Sequence, residues 1–333
     1  MDVVVIALLW LQAPTVDDAM RLATQGRLVE AETMLRGIAA RDTKDADVRY
    51  RLGLILFKQR KLDDAARYID EATAREPSAV PVWRAAALVR AARQDGIGEA
   101  KAWQKIIELE PTDGPAYRKL AALLLEHRTA DGALAVVDAG VKRFPGDAEM
   151  LRLRGLALYG LGRKPEAVDS FLAAVDAAPE SDVALASLET LIGDAGDRLP
   201  AVIATLERFV ERKPESPLGH FLLALAGGDR RKEQRLRQAL AADATFWPAH
   251  FELGRALREG GKAQAAAEEF EATLRQHPAH EGAHFALAAL YTEAGEREKA
   301  KLHREAHHRL RAQAAEAEQK RSAAAPRIQV TVR

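Results

Sequence analysis

The sequence predicts an all-α protein, an α-solenoid of about nine helical hairpins of 34 residues each. Three observations predict it. Pro77, Pro111, Pro145 and Pro179 recur at a step of 34. Small residues keep the same step at Ala19, Gly53, Ala87, Ala121 and Gly155, and Gly254 and Ala288 resume it. A third series stays in phase through Ala31 and Ala65, then Ala133 and Ala167, then Ala266 and Ala300. Self-similarity at a fixed period of this length is the mark of stacked repeats. The composition agrees: Ala, Leu, Arg and Glu favour helix, and aromatics make up 5% of the 333 residues.

The first element, "MDVVVIALLWLQAP", holds nine consecutive apolar residues from Val3 to Leu11, followed by Ala13 and Pro14. The run is too short to span a bilayer as a helix but fits the apolar core of a signal peptide. Two details run against export. Asp2 stands where a positive charge is expected, and Pro14 makes an awkward cleavage point. The alternative is a helix buried against the first repeat, which a run with no polar face suits poorly. Residues 1–13 are therefore expected to be a signal peptide or membrane tether. The expected location is the periplasm or cell envelope, with the cytoplasm as the alternative. Membrane contact is expected only through this segment, if uncleaved.

The repeats follow from residue 14. In "VRYRLGLILFKQRKLDDAARYIDEATAREP" one apolar stripe runs to Phe57 and another from Ala65 to Ala72. The polar break Lys58 to Lys61 separates them, and Pro77 closes the unit. Two helices of about a dozen residues joined by a tight polar turn form a hairpin. The small residues fall where the helices approach closely, with Leu52, Leu56 and Ile69 filling the space around them. One hairpin cannot bury both stripes, so it must stack on neighbours.

This spacing resembles the tetratricopeptide repeat family. In "LRLRGLALYGLGRKPEAVDSFLAAVDAAP", Gly155, Leu158, Gly162, Ala167, Phe171, Ala174 and Pro179 fall on the family's pattern positions. Leu253, Gly254, Leu257, Gly261, Ala266, Phe270 and Pro278 do so in a later unit, and Ala288, Tyr291, Gly295 and Ala300 in the last. The resemblance covers residues 14–314. It is irregular around 182–246, where Glu189 takes the small-residue position, Pro214 comes one residue late, and about four residues are missing around Gly227 and Gly228. A hinge there and the tolerated decay of redundant repeats are both open. Residues 315–333 read as a polar helical extension and flexible tail, with edge pairing of "RIQVTVR" on a partner's sheet as the alternative.

The resemblance implies that the first helix of each unit lines a concave groove. The matching positions here are Tyr50, Arg84, Arg118, Arg152, Ala186, Phe221, Phe251 and Phe285. One turn on come Leu54, Leu88, Ala122, Leu156, Arg255 and Ala289, and a third set adds Phe57, Leu125, Tyr159 and Arg258. Guanidinium groups over an apolar floor suit an extended acidic peptide, while Phe221, Phe251 and Phe285 suit apolar anchors. The alternative is that the arginines lie along the helices and pair with neighbouring Glu or Asp. The family's clamp for a partner's C-terminal carboxylate uses lysine, arginine and asparagine. This chain has no asparagine, which excludes that clamp in its usual form.

Lysine plus arginine and aspartate plus glutamate both number 49, so no basic excess points to nucleic acid. There is no cysteine, hence no disulfide or thiolate site. No catalytic or cofactor motif occurs, and neither is expected. His277, His280, His284, His303, His307 and His308 cluster in the sequence. His303 and His307 lie one turn apart, as a metal pair would, but packing is the expected role and no metal is predicted. The alanine- and arginine-rich composition suggests a GC-rich bacterial genome. The expected function is a non-enzymatic scaffold binding a protein or peptide in the groove. The alternative is a structural component that self-associates or joins a larger envelope complex. Internal neutralisation of the arginines would weaken the first and favour the second.

Overall fold

The structure, a computed structural model, describes residues 14–324. The predicted signal or tether segment and the strand-like end of the tail lie outside the described residues. Among the described residues the chain is all-helical, and no helix is long and apolar enough to cross a membrane.

The helices come in pairs. They are α1 (Val16–Thr24) and α2 (Leu28–Arg41), α3 (Ala46–Lys58) and α4 (Leu62–Arg75), and α5 (Val80–Ala92) and α6 (Gly96–Leu109). Next are α7 (Gly114–Glu126) and α8 (Ala130–Arg143), then α9 (Ala148–Gly160) and α10 (Lys164–Ala177). The last four pairs begin with α11 (Asp182–Ala186) and α12 (Leu199–Arg212), then α13 (Pro217–Ala226) and α14 (Asp229–Ala242). They end with α15 (Trp247–Glu259) and α16 (Ala263–Gln276), and α17 (Glu281–Glu293) and α18 (Arg297–Ala324). The chain divides into two compact units, the first ending at Leu123 and the second beginning at Leu124, inside α7. Within each unit, successive hairpins stack as an α-solenoid. In the first unit α3 also meets α5, so two first helices lie side by side.

Each hairpin is built on one close approach. A Cβ at Gly155 would stand 2.4 Å from the Phe171 ring, and one at Gly254 would stand 2.8 Å from the Phe270 ring. At Gly53 the neighbour is Ile69, 2.7 Å away. Ile69, Phe171 and Phe270 come from the second helix and are fully buried. Burial of one such side chain contributes about 1.5–3 kcal/mol, so the small residue's value lies in the contact it permits. Ala19, Ala87 and Ala121 hold the same position, each without exposed surface.

The turn inside the hairpin repeats too. Lys61 N donates to Leu56 O at 3.0 Å, Arg163 N to Leu158 O at 2.9 Å and Lys262 N to Leu257 O at 2.9 Å. This six-residue closure places the preceding residue in the left-handed region. Gly162 and Gly261 do this at φ 74° and 73°, but Arg60 and Gln94 are forced to φ 62° and 59°.

The irregular repeat has a physical cause. Glu189, at the small-residue position, is exposed. A carboxylate cannot occupy a dry helix crossing. The first helix stops after the five residues of α11, and 3₁₀ turns at Glu189–Asp194 and Gly196–Arg198 carry the chain to α12. One pair later, α13 has 10 residues where α9 and α15 have 13. Beyond the repeats α18 continues as an exposed polar helix, on which Glu318 meets Arg128 at 3.2 Å.

Two outcomes follow. Gly155→Ala should lower unfolding stability by about 1–3 kcal/mol through overpacking against Phe171; urea titration followed by circular dichroism measures it. Arg60→Gly with Gln94→Gly should instead raise the melting temperature, because relief of about 1–2 kcal/mol of left-handed strain per site exceeds glycine's entropic cost. A lower melting temperature would show that the turns tolerate these side chains without strain.

Candidate functional site

The first helices carry the candidate binding residues, and their starts are fixed by a cap two positions after the closing proline. Asp113 Oδ1 accepts from Ala116 N at 3.1 Å, Asp147 from Met150 N at 3.0 Å, and Ser181 and Ser216 from Ala184 N and Gly219 N. Asp45 does the same for Val48 N at 3.1 Å. A second tie comes from the side chain six positions after the proline. Trp83 Nε1 donates to Pro77 O at 2.8 Å, His220 Nε2 to Pro214 O at 2.9 Å and His284 Nε2 to Pro278 O at 3.1 Å. These bonds satisfy carbonyls left over at helix ends and orient the face that follows.

In the first unit, Tyr50 and Leu54 of α3 meet Arg84 and Leu88 of α5 around a cavity of about 280 Å³. Val80, Pro81, Ala85 and Glu110 complete its lining. Leu88 is 51% exposed, an apolar side chain offered to solvent. Phe57, at the end of α3, is half-buried and lies outside this lining. Arg84 does not point its charge into open space. Its Nη2 donates to Asp113 Oδ2 at 2.6 Å, and Asp113 is buried. One carboxylate thus caps α7 and holds Arg84. Arg118, on α7, is half-buried.

In the second unit the residue 29 positions beyond Arg152 is Ser181, which offers no carboxylate. Arg152 turns instead to Glu149, with both Nε and Nη2 donating at 2.7 Å. That pairing raises its pKa further. Arg255 likewise pairs with Glu252 at 2.8 Å, and Lys232 takes the other oxygen of Glu252 at 3.0 Å. Leu125 and Leu156 are half-buried, and Tyr159 is exposed.

The three phenylalanines part company. Phe285 is 58% exposed, with the His307 ring 5.3 Å from its own. Phe251 is half-buried between Phe270 and His280, at ring separations of 5.7 and 4.3 Å. Phe221 is not a surface anchor: it is 3% exposed and packs edge-on against Phe246. The shortened α13 is covered on several sides, by α11, the turn Glu189–Asp194, α12 and α14, and seven of its ten residues are buried.

Sequence reasoning does not single out Asp113, Glu149 or Glu110. The first was detectable as the Pro-x-Asp at 111–113, and the second as a Glu three positions before Arg152.

The histidines act as packing and capping groups. His280 Nδ1 accepts from Ala283 N at 3.0 Å. His284 donates from Nε2 to Pro278 O, leaving its Nδ1 to face His303 Nδ1 at 2.9 Å. Only one of those two nitrogens can carry the proton between them. His307 turns to Glu281, 3.5 Å away. Among the described residues no three such side chains gather as a metal-holding group. Burial pushes His280 and His303 below the ordinary histidine value, helped by neighbouring His277 and His284 respectively. His250 moves the other way because it donates to Glu269 at 2.6 Å.

The depressed groups bind fewer protons folded than unfolded. Their stabilisation is present above about pH 6.5, the unfolded value, and is lost as pH falls through their folded values. The raised His250 stabilises below about 6.5 and fades as pH rises through its folded value. Hydrogen exchange corrected for intrinsic rates should therefore show α17 and α18 losing protection relative to α15 and α16 between pH 7.5 and 5.5. His303→Gln should flatten the change.

Profiles of the tetratricopeptide repeat match residues 118–182, 233–280 and 251–302, and a second match spans 22–89. The chain is 31% identical over 134 residues to the Hsp70-Hsp90 organizing protein of Triticum aestivum, which covers 38% of this chain. It spans about a fifth of that relative, 22% of its length. Among solved structures, the C-terminal part of a TPR repeat-containing protein from Cytophaga hutchinsonii aligns with a TM-score of 0.55 at 12% identity. That alignment covers 82% of this chain and 99% of the other. A MamA structure aligns with a TM-score of 0.44 at 19% identity, over 50% of this chain and 90% of its own. With the 34-residue register, the close glycine crossings and profile matches in both units, the chain belongs to the tetratricopeptide repeat family.

Proposed function

We propose that this protein is a non-catalytic scaffold that binds an extended segment of a partner protein along its first-helix face. Proteins built from these repeats generally serve as protein–protein interaction scaffolds. The observation that carries the reading is the first-unit cavity, where Tyr50, Leu54, Arg84 and Leu88 converge with two apolar residues and Ala85 between them. Phe285 and Tyr159 offer further exposed anchors in the second unit. The Triticum aestivum relative is named for organizing Hsp70 and Hsp90, but the asparagine-free chain lacks the carboxylate clamp in its usual form, so that role is not transferred.

The second reading, assembly into a larger complex, gains from the electrostatics. Arg84 and Arg152 are neutralised internally, which weakens an arginine-based grip on peptide carboxylates. Val29, Ile97 and Leu302 are exposed apolar side chains on second helices, away from the first-helix face. The apolar run at Val3 to Leu11 supports export or tethering at a cell envelope, and the alanine- and arginine-rich composition a bacterial source; fractionation with intact-mass analysis tests that placement.

Leu54→Asp with Leu88→Asp separates the two readings. Affinity capture from native extract should lose a partner with this variant while helicity and sedimentation stay unchanged. A mass that rises with protein concentration, and capture equal for both proteins, would favour assembly instead.

A further inference from the structure

Resting on the peptide-binding reading, we infer that the first-unit cavity takes one apolar side chain of a segment that carries lysine or arginine beside it, and not a carboxylate. The sequence alone points the other way, toward an acidic ligand, because Arg84 stands in the cavity wall. In the structure that charge is balanced by a carboxylate of the protein's own. Arg84 Nη2 is held at 2.6 Å by Asp113, which is buried and whose other oxygen caps α7 through Ala116 N. Arg84 is 42% exposed and still offers Nε and Nη1, but with Asp113 and Glu110 beside it the groups around the cavity carry one net negative charge, which disfavours a ligand carboxylate.

What remains at the cavity is apolar wall and one negative rim. Leu54, Val80, Pro81, Ala85 and Leu88 supply the wall. Glu110, exposed at the end of α6, supplies the rim, and among the described residues no cation pairs with it. A cavity of about 280 Å³ has room for a single side chain of an extended backbone. Apolar contact then supplies affinity, and the rim carboxylate selects a neighbouring cation.

The test pans a randomised dodecapeptide display library against the full chain and measures recovered peptides by fluorescence polarisation. Recovered sequences should share a Leu, Ile, Met or Phe with Lys or Arg within two positions. Their affinity should fall roughly fivefold in Glu110→Lys, an exposed substitution on the scale of one surface charge pair, and be lost in Leu54→Asp. Sequences rich in Asp or Glu that bind through Leu54 would overturn the inference and leave peptide binding standing. Peptides indifferent to both substitutions, or no enrichment at all, would overturn the cavity as a peptide site and this inference with it.

Discussion

The contact on which everything else rests is the crossing of the two helices in a hairpin. A position without room for a side chain in the first helix lets a fully buried Ile or Phe of the second lie directly on its backbone, as Gly155 does for Phe171. That crossing sets the angle of the hairpin, and the angle sets which side chains of the first helix remain outside. The α11–α12 hairpin shows the dependence by its failure. With Glu189 in that position, the helix shortens to five residues and the backbone passes through 3₁₀ turns. The next first helix, α13, is short and buries Phe221.

Between hairpins, polar groups add register to the apolar stacking. The closing proline ends one helix, the Asp or Ser two positions later caps the next, and the aromatic or histidine donor four positions beyond that reaches back to a carbonyl beside the break. Each bond satisfies a backbone group that a helix end leaves unpaired. The histidine-rich end of the chain belongs to this scheme. His250 and His284 occupy the donor position that Trp83 fills earlier, so their recurrence reports repeat register.

Charge is handled locally. A chain with equal numbers of acidic and basic residues keeps arginines of its first helices beside carboxylates: Arg84 on Asp113, Arg152 on Glu149, Arg255 on Glu252. Pairs at partly exposed sites add little stability, but they decide what the surface presents. What they leave at the first-unit cavity is apolar area, a charge-balanced Arg84 and Glu110, which no cation pairs among the described residues.

The sequence by itself determined the fold class, the hairpin length and the small-residue crossings, because these follow from periodicity and volume, and both are written residue by residue. The resemblance to the repeat family implied a shared face for Tyr50, Leu54, Arg84 and Leu88, and these four do line one cavity. Only the tertiary structure decided what those side chains meet. Arg84 is claimed by a residue 29 positions away, while Arg152, with serine at the equivalent place, folds back on Glu149. Phe221 keeps the register position of Phe251 and Phe285 in the sequence reading, yet neighbours brought in by a broken helix bury it. Register records where a side chain starts; its partners depend on distances across elements that no single repeat contains.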